Sequence, residues 1–227
     1  MSGRRGIVIA IDGPAGAGKS TVARMLAARL GYVLVDTGAL YRGVALAARE
    51  RGVPWTDGAA LGGLARELRL GFELDAQGAP RLQIDGEDRA GDIRTPEISM
   101  GASDVSKHPE VRDALLGIQR QLGEQGGVVC EGRDIGTVVF PDADTKIYLT
   151  ASTEIRAQRR VEDLAGRGIE ADFQDTLREI EARDAQDQGR PVAPLRPAED
   201  SITVDTSDMD IEQVVSRLEQ IARGAGA

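Results

Sequence analysis

The chain has 227 residues, a formal charge of −9, 41% hydrophobic residues and 29% charged ones, enough for one substantial core or a core with smaller inserted parts. The acidic balance argues against a general nucleic-acid or anionic-membrane surface, so any anion site must come from arginines gathered locally. The single cysteine, Cys130, excludes an internal disulfide and a multi-cysteine zinc site, and its apolar surroundings read as a buried strand in a reducing compartment.

The first apolar run, residues 6–12, is too short for a signal peptide, and no later run is long enough to span a membrane. It ends in GPAGAGKS, Gly13 to Ser20, a complete GxxxxGKS phosphate loop between a strand pattern and a helix pattern. Such a loop wraps backbone N–H groups around the β- and γ-phosphates of a nucleoside triphosphate, while Lys19 supplies a charge and Ser20 a hydroxyl for Mg²⁺. The ATP-binding candidates are therefore Gly13, Pro14, Ala15, Gly16, Ala17, Gly18, Lys19, Ser20 and Thr21. Next, Val22, Met25, Leu26 and Leu30 recur at i, i+3, i+4 and i+8, with Gly31 as a stop, which predicts a helix.

Further β-rich runs at 32–36, 127–131, 145–150 and 201–205 alternate with segments of helical period. This predicts an α/β fold, a parallel five-stranded sheet with helices on both faces. About ninety residues separate the second run from the third, far more than a crossover needs, so an inserted subdomain is expected. Within it, 70–74 and 81–85 flank the turn residues Asp75, Ala76, Gln77 and Gly78, the pattern of a β-hairpin.

Ligands of an open α/β sheet sit beyond the carboxyl ends of its strands. Those ends carry Asp36, Thr37, Tyr41 and Arg42 after one run and Glu131, Gly132, Arg133 and Asp134 after another. Arg183, Asp187 and Arg190 recur at i, i+4 and i+7, the first two on one helix face, with Gly189 and Pro191 closing the helix. Taken singly each arginine reads as a solvated surface charge; together, beside a phosphate loop, they read as a second anion site. Arg156, Arg159 and Arg160 share one helix face. Like charges there repel when the site is empty and call for an anion, while Glu154, Glu162 and Asp163 fit a solvated mixed-charge helix. His108 precedes Pro109 at an expected helix start, and Trp55 reads as packing rather than a base platform.

GPAGAGKS, DTGALYR at Asp36 to Arg42, EGRDIGTVVFPDA at Glu131 to Ala143 and RDAQDQGRPVAPL at Arg183 to Leu195 together resemble the bacterial cytidylate kinases, in the nucleoside monophosphate kinase branch of P-loop proteins, nearly end to end. The loop alone marks the superfamily; GRDIGTVVFPDA with RPVAPL is far more specific. The resemblance implies a P-loop core over 1–36, 126–152 and 188–227, a monophosphate-binding subdomain with the hairpin over 37–125, and a short lid over 153–187 whose link holds Gly166, Arg167 and Gly168. It implies in-line transfer of the ATP γ-phosphoryl to CMP or dCMP, with Mg²⁺, in cytoplasmic pyrimidine metabolism. No nucleic-acid or membrane partner is expected, and a monomer is, since no coiled coil or apolar tail is visible.

Roles follow from the same resemblance. Arg42, Arg133 and Arg183 hold the acceptor phosphate, as guanidinium forks suit a dianion. Ser103, Arg112 and Asp134 read the cytosine edge: Asp134 and Ser103 accept from N4, and Arg112 donates to N3 or O2. Asp187 and Arg190 face the ribose, and Thr37 and Tyr41 line the acceptor nucleotide. Lys19, Arg133, Arg159, Arg160 and Arg183 neutralise the moving phosphoryl, and Arg156 joins the ATP site. Ser20 touches Mg²⁺, with Glu131 and Asp36 acting through water. Ser20 replaces the glycine of many members, and Thr37 stands where serine is common. One rival is a P-loop kinase of a hydroxyl substrate such as shikimate or a sugar acid, with Asp36 or Asp134 as base. A GTP-dependent switch is a second, against which stands the absence of an NKxD motif.

Overall fold

The elements run β1 (Val8–Asp12), α1 (Lys19–Leu30), β2 (Val33–Asp36), α2 (Thr37–Glu50), α3 (Gly58–Glu67), β3 (Leu70–Leu74), β4 (Pro80–Ile84) and β5 (Glu87–Asp88). They continue with α4 (Pro96–Val105), α5 (Pro109–Gly123), β6 (Val128–Gly132), β7 (Thr145–Thr150), α6 (Thr153–Ala165), α7 (Phe173–Gln188), β8 (Ile202–Asp205) and α8 (Ile211–Gly224). The structure, a computed structural model, describes residues 6–76, 78, 80–166 and 168–227. Gln77 of the expected hairpin turn and Arg167 of the expected lid link lie outside the described residues.

Two compact units make up the chain: Met1–Val33 with Gln125–Ala227, and Leu34–Glu124. The first carries β6, β1, β7 and β8 of a five-stranded sheet of order β2-β6-β1-β7-β8, in which β2 is an edge strand. β1 pairs in parallel with β6, in register Ile9 to Val129, and with β7, in register Ile9 to Thr145; β7 pairs in parallel with β8. Being central, β1 is buried at every position, as expected of a strand covered on both faces. α1 packs on β1 and β6, and α8 packs on α1 and β7, burying Val22, Leu26, Val214, Val215 and Leu218. The predicted α1 is therefore present and ends on Gly31, which is left-handed at φ 68. Cys130 is fully buried in β6, and burial pushes its thiol pKa up, which keeps it an unreactive core residue.

The second unit pairs α2 with α4 and α3 with α5 around Leu40, Leu46, Leu61, Leu82, Ile98 and Leu115. The hairpin is there, but its second strand spans Pro80–Ile84 and a third short strand, β5, follows. The reason is the turn: Ile84 pairs with Glu87, leaving Asp85 (φ 55) and Gly86 (φ 88) as a two-residue loop, the Asp-Gly signal of a tight hairpin. Trp55 is packing, as expected. Its ring leaves no room for a side chain at Gly101, where a Cβ would lie 2.5 Å away, and its Nε1 donates to the Ala45 carbonyl at 3.1 Å. His108 is the N-cap residue of α5, and its Nε2 lies 2.9 Å from the Trp55 carbonyl oxygen.

Candidate active site

Gly13 to Gly18 close a loop between β1 and α1 that tolerates no side chain at two points. A Cβ on Gly13 (φ 152) would fall 2.0 Å from the Leu149 carbonyl oxygen, and one on Gly16 (φ 74) 2.9 Å from that of Arg156. No side chain caps α1 at Gly18, so the first N–H groups of the helix face the loop as donors for an anion. Ser20 and Thr21 are exposed in that first turn.

Lys19 is buried and donates to the Pro14 carbonyl at 2.8 Å. Its pKa lies well below the usual lysine value: burial is the main cause, the charges of Arg133 and Arg183 add to it, and Glu131 and Asp12 oppose it. The site therefore concentrates positive charge that a phosphate would relieve. Arg133 donates from Nε to Asp187 Oδ2 at 2.9 Å, and Arg190 Nη2 lies 3.4 Å from Asp187 Oδ1. Burial alone would raise the Asp187 pKa, but Arg133, Arg190 and Arg183 hold it below the ordinary carboxylate value. Lys19, Glu131, Arg133, Arg183, Asp187 and Arg190 thus share one electrostatic neighbourhood in the first unit. Asp134 is buried, and its carbonyl accepts from Val138 and Val139 at the start of a π-helical turn, Ile135–Val139.

On α6 each of the three arginines has a partner within the chain. Arg156 is buried; it donates to the carbonyls of Ala151 and Ala15, to Thr153 Oγ1, and at 2.5 Å to Asp184 Oδ2. Arg159 is bound to the hydroxyl and carbonyl of Thr206 at 2.9 and 2.8 Å, and Arg160 pairs with Asp163 at 3.2 Å. These partners come from α7, from the segment after β8 and from the next helical turn, so only the last was visible locally.

In the second unit Asp36 caps α2, accepting from the Ala39 N–H at 3.0 Å, and pairs with Arg42 at 2.6 Å. Thr37, the first residue of α2, is buried. Tyr41, Ser103 and Arg112 are also buried. The Arg112 guanidinium stands 5.6 Å from the Tyr41 ring centroid, a cation–π arrangement. It donates to the Ser106 carbonyl at 3.2 Å, while the Ser106 hydroxyl donates to the Ser103 carbonyl at 2.9 Å.

Sequence reasoning passed over two buried carboxylates. Asp12 ends β1 and accepts from the N–H groups of Ile135 and Gly136, each at 2.8 Å. Asp184 accepts from the Ala15 N–H at 3.4 Å as well as from Arg156. The position of Asp12 at a strand's carboxyl end was a usable signal; Asp184, between Arg183 and Asp187, carried none of its own.

A parallel sheet whose central strand runs into a phosphate loop with a buried lysine, flanked by guanidinium groups, defines a phosphoryl-transfer enzyme of the P-loop class. The family model described as cytidylate kinase matches residues 9–224. The chain is similar to the cytidylate kinase of Geobacter sulfurreducens, 48% identical over 222 residues that cover 98% of this chain and 95% of that one. It is similar to that of Syntrophotalea carbinolica, 50% identical over 217 residues covering 96% and 92%, and to that of Pseudomonas syringae pv. tomato, 50% over 212 residues covering 93% of each. The chain belongs to the cytidylate kinase family.

Proposed function

We propose that this chain transfers the γ-phosphoryl of ATP to the phosphate of CMP or dCMP, forming CDP or dCDP in pyrimidine nucleotide metabolism. The observation that carries the reading is the phosphate loop at the end of β1, whose Gly13 and Gly16 leave no room for a side chain and whose Lys19 is buried on the Pro14 carbonyl, in a chain matched over 9–224 by this family. The nucleophile is a phosphate oxygen, already an anion, so no general base is needed. Rate then comes from alignment and from neutralising charge on the moving phosphoryl.

Lys19 leaves the Pro14 carbonyl to meet the β- and γ-phosphates, and the loop N–H groups bind the same anion. Arg42, Arg133 and Arg183 hold the acceptor phosphate, and Ser103, Arg112 and Asp134 read cytosine, where a uracil would set a carbonyl against the carboxylate. Asp187 and Arg190 serve the ribose; Thr37 and Tyr41 line the acceptor nucleotide. Arg156 serves the ATP side, and Arg159 and Arg160 act from a lid over 153–187 that closes to exclude water. The core is 1–36, 126–152 and 188–227, and 37–125 receives the monophosphate. The hydroxyl of Ser20 and the buried carboxylate of Glu131 are hard oxygen donors that suit Mg²⁺, Ser20 directly and Glu131 through water; Asp36, engaged with Ala39 and Arg42, is the weaker candidate. Mg²⁺ held there would supply charge neutralisation for the transferring phosphoryl.

A cytoplasmic monomer fits this reading; among the described residues no helix is long and apolar enough to cross a membrane. An ADP-release assay across CMP, dCMP, UMP, AMP and shikimate tests it. Fast turnover with CMP and dCMP is expected, and turnover with shikimate but none with CMP would overturn it.

A further inference from the structure

Asp12 is the last residue of β1 and 5% exposed. Each oxygen of its carboxylate takes one backbone N–H, Oδ1 that of Ile135 and Oδ2 that of Gly136. Both residues are buried, so loss of these acceptors would strand two buried amide donors. The site is tight: a Cβ on Gly136 would lie 3.2 Å from the Lys146 methylenes and 3.5 Å from Asp12 Oδ2. Asp12 is also in register with Gly132 across the β1–β6 ladder. One residue therefore fixes the chain on both sides of Arg133 and Asp134, through its backbone before them and through its side chain after them.

The choice of an acid here is informative. Burial raises its pKa to about 6, against the opposing pull of the Gly136 and Ile135 amides and Lys19, and with Asp134 adding to the rise. A charged group kept in such a place costs stability. Among side chains of this size, a carboxylate accepts two parallel N–H groups without presenting a donor of its own; an asparagine would turn its NH₂ against one of them.

We propose that Asp12 is a positioning residue for the acceptor nucleotide: by accepting from Ile135 and Gly136 it sets the directions in which Arg133 and Asp134 present their side chains. This rests on the reading that those two residues contact CMP. It makes the residue before the phosphate loop serve the acceptor side through its side chain, while its neighbour Gly13 opens the donor loop.

The test is steady-state kinetics of Asp12→Asn with CMP and ATP varied separately, beside Arg133→Ala and Asp134→Ala. Loss of one charge-assisted bond predicts a CMP KM raised ~10-fold or more, with the ATP KM within ~2-fold. The kcat/KM preference for CMP over UMP should fall in the same variant, and the amide resonances of Ile135 and Gly136 should shift. If Asp12→Asn does not fold, Gly136→Ala, which crowds the same contact, carries the same expectation. Equal rises in both KM values, or unchanged CMP kinetics in a variant whose amides have shifted, would overturn the positioning role. Arg133→Ala and Asp134→Ala separate the two levels: if they disturb CMP kinetics and Asp12→Asn does not, only the positioning inference falls. If none of the three disturbs them, the acceptor reading falls as well.

Discussion

Asp184 Oδ2 lies 2.5 Å from Nη1 of Arg156, and the same nitrogen donates to the Ala15 carbonyl at 3.0 Å while Asp184 Oδ1 accepts from the Ala15 N–H. A single residue of the phosphate loop, Ala15, is thus gripped at both its N–H and its carbonyl by a buried ion pair drawn from α6 and α7. Removing one member leaves the other charge buried and uncompensated, so Asp184→Ala should lose ~3–5 kcal/mol of stability in urea unfolding. The double variant Asp184→Ala/Arg156→Ala should lose clearly less than the sum of the single losses. Additive losses would show that the two groups do not act as a pair.

Arg133 and Asp187 make a second such link, with Arg133 more exposed than its partner. In the proposed phosphoryl transfer its charge would matter most when the phosphoryl is between donor and acceptor. Arg133→Ala should therefore lower kcat ~100-fold or more. In the proposed reading Arg112, whose guanidinium stands 5.6 Å from the Tyr41 ring centroid, serves base recognition, and Arg112→Ala should chiefly raise the CMP KM, ~10-fold. The reverse pattern would refute this division of labour. Without Arg133 the Asp187 carboxyl loses the largest of the charges holding its pKa down and should titrate higher by NMR.

The base preference isolates Asp134. Its carboxylate suits the N4 amine of cytosine and opposes the carbonyl that uracil carries in its place. Asp134→Ala should cut the ratio of kcat/KM for CMP over UMP ~10-fold or more, since no carboxylate then opposes the uracil carbonyl. A ratio equal to that of the unaltered enzyme would remove Asp134 from base reading.

The five sheet strands were legible to within a residue or two because their apolar runs are short, bounded and separated by helical period. β5 was missed because a two-residue turn at Asp85 and Gly86 hides between runs that read as one hairpin. The phosphate loop was fully legible, since its function needs glycines and a lysine at fixed spacing. The contacts of Asp12 and Asp184 were not. Their partners are backbone amides 123 to 169 residues away in sequence, and a pattern of side chains does not record which amide a carboxylate will meet. For the same reason Arg156 and Arg159 read as bare charges, although Asp184 and Thr206 reach them from later in the chain.

Asp12 also sets a pH dependence whose sign follows from its environment. Its folded pKa of about 6 stands above the ordinary 3.8, chiefly because burial disfavours the charge, so the folded state holds this proton more tightly than the unfolded chain does. The resulting stabilisation is full below pH 3.8 and is lost as the pH rises through about 6. By linkage the loss is on the order of 3 kcal/mol. Asp12→Asn cannot ionise and lacks this dependence. The stability of the unaltered protein minus that of Asp12→Asn, from urea unfolding at a series of pH values, should therefore fall by about that amount between pH 4 and pH 7. Titrating groups that do not feel the Asp12 charge are common to both proteins and cancel in the difference. A difference that stays flat over this range would mean that Asp12 ionises as freely in the fold as in the open chain. Its two amide bonds would then have to offset the whole cost of burying the charge.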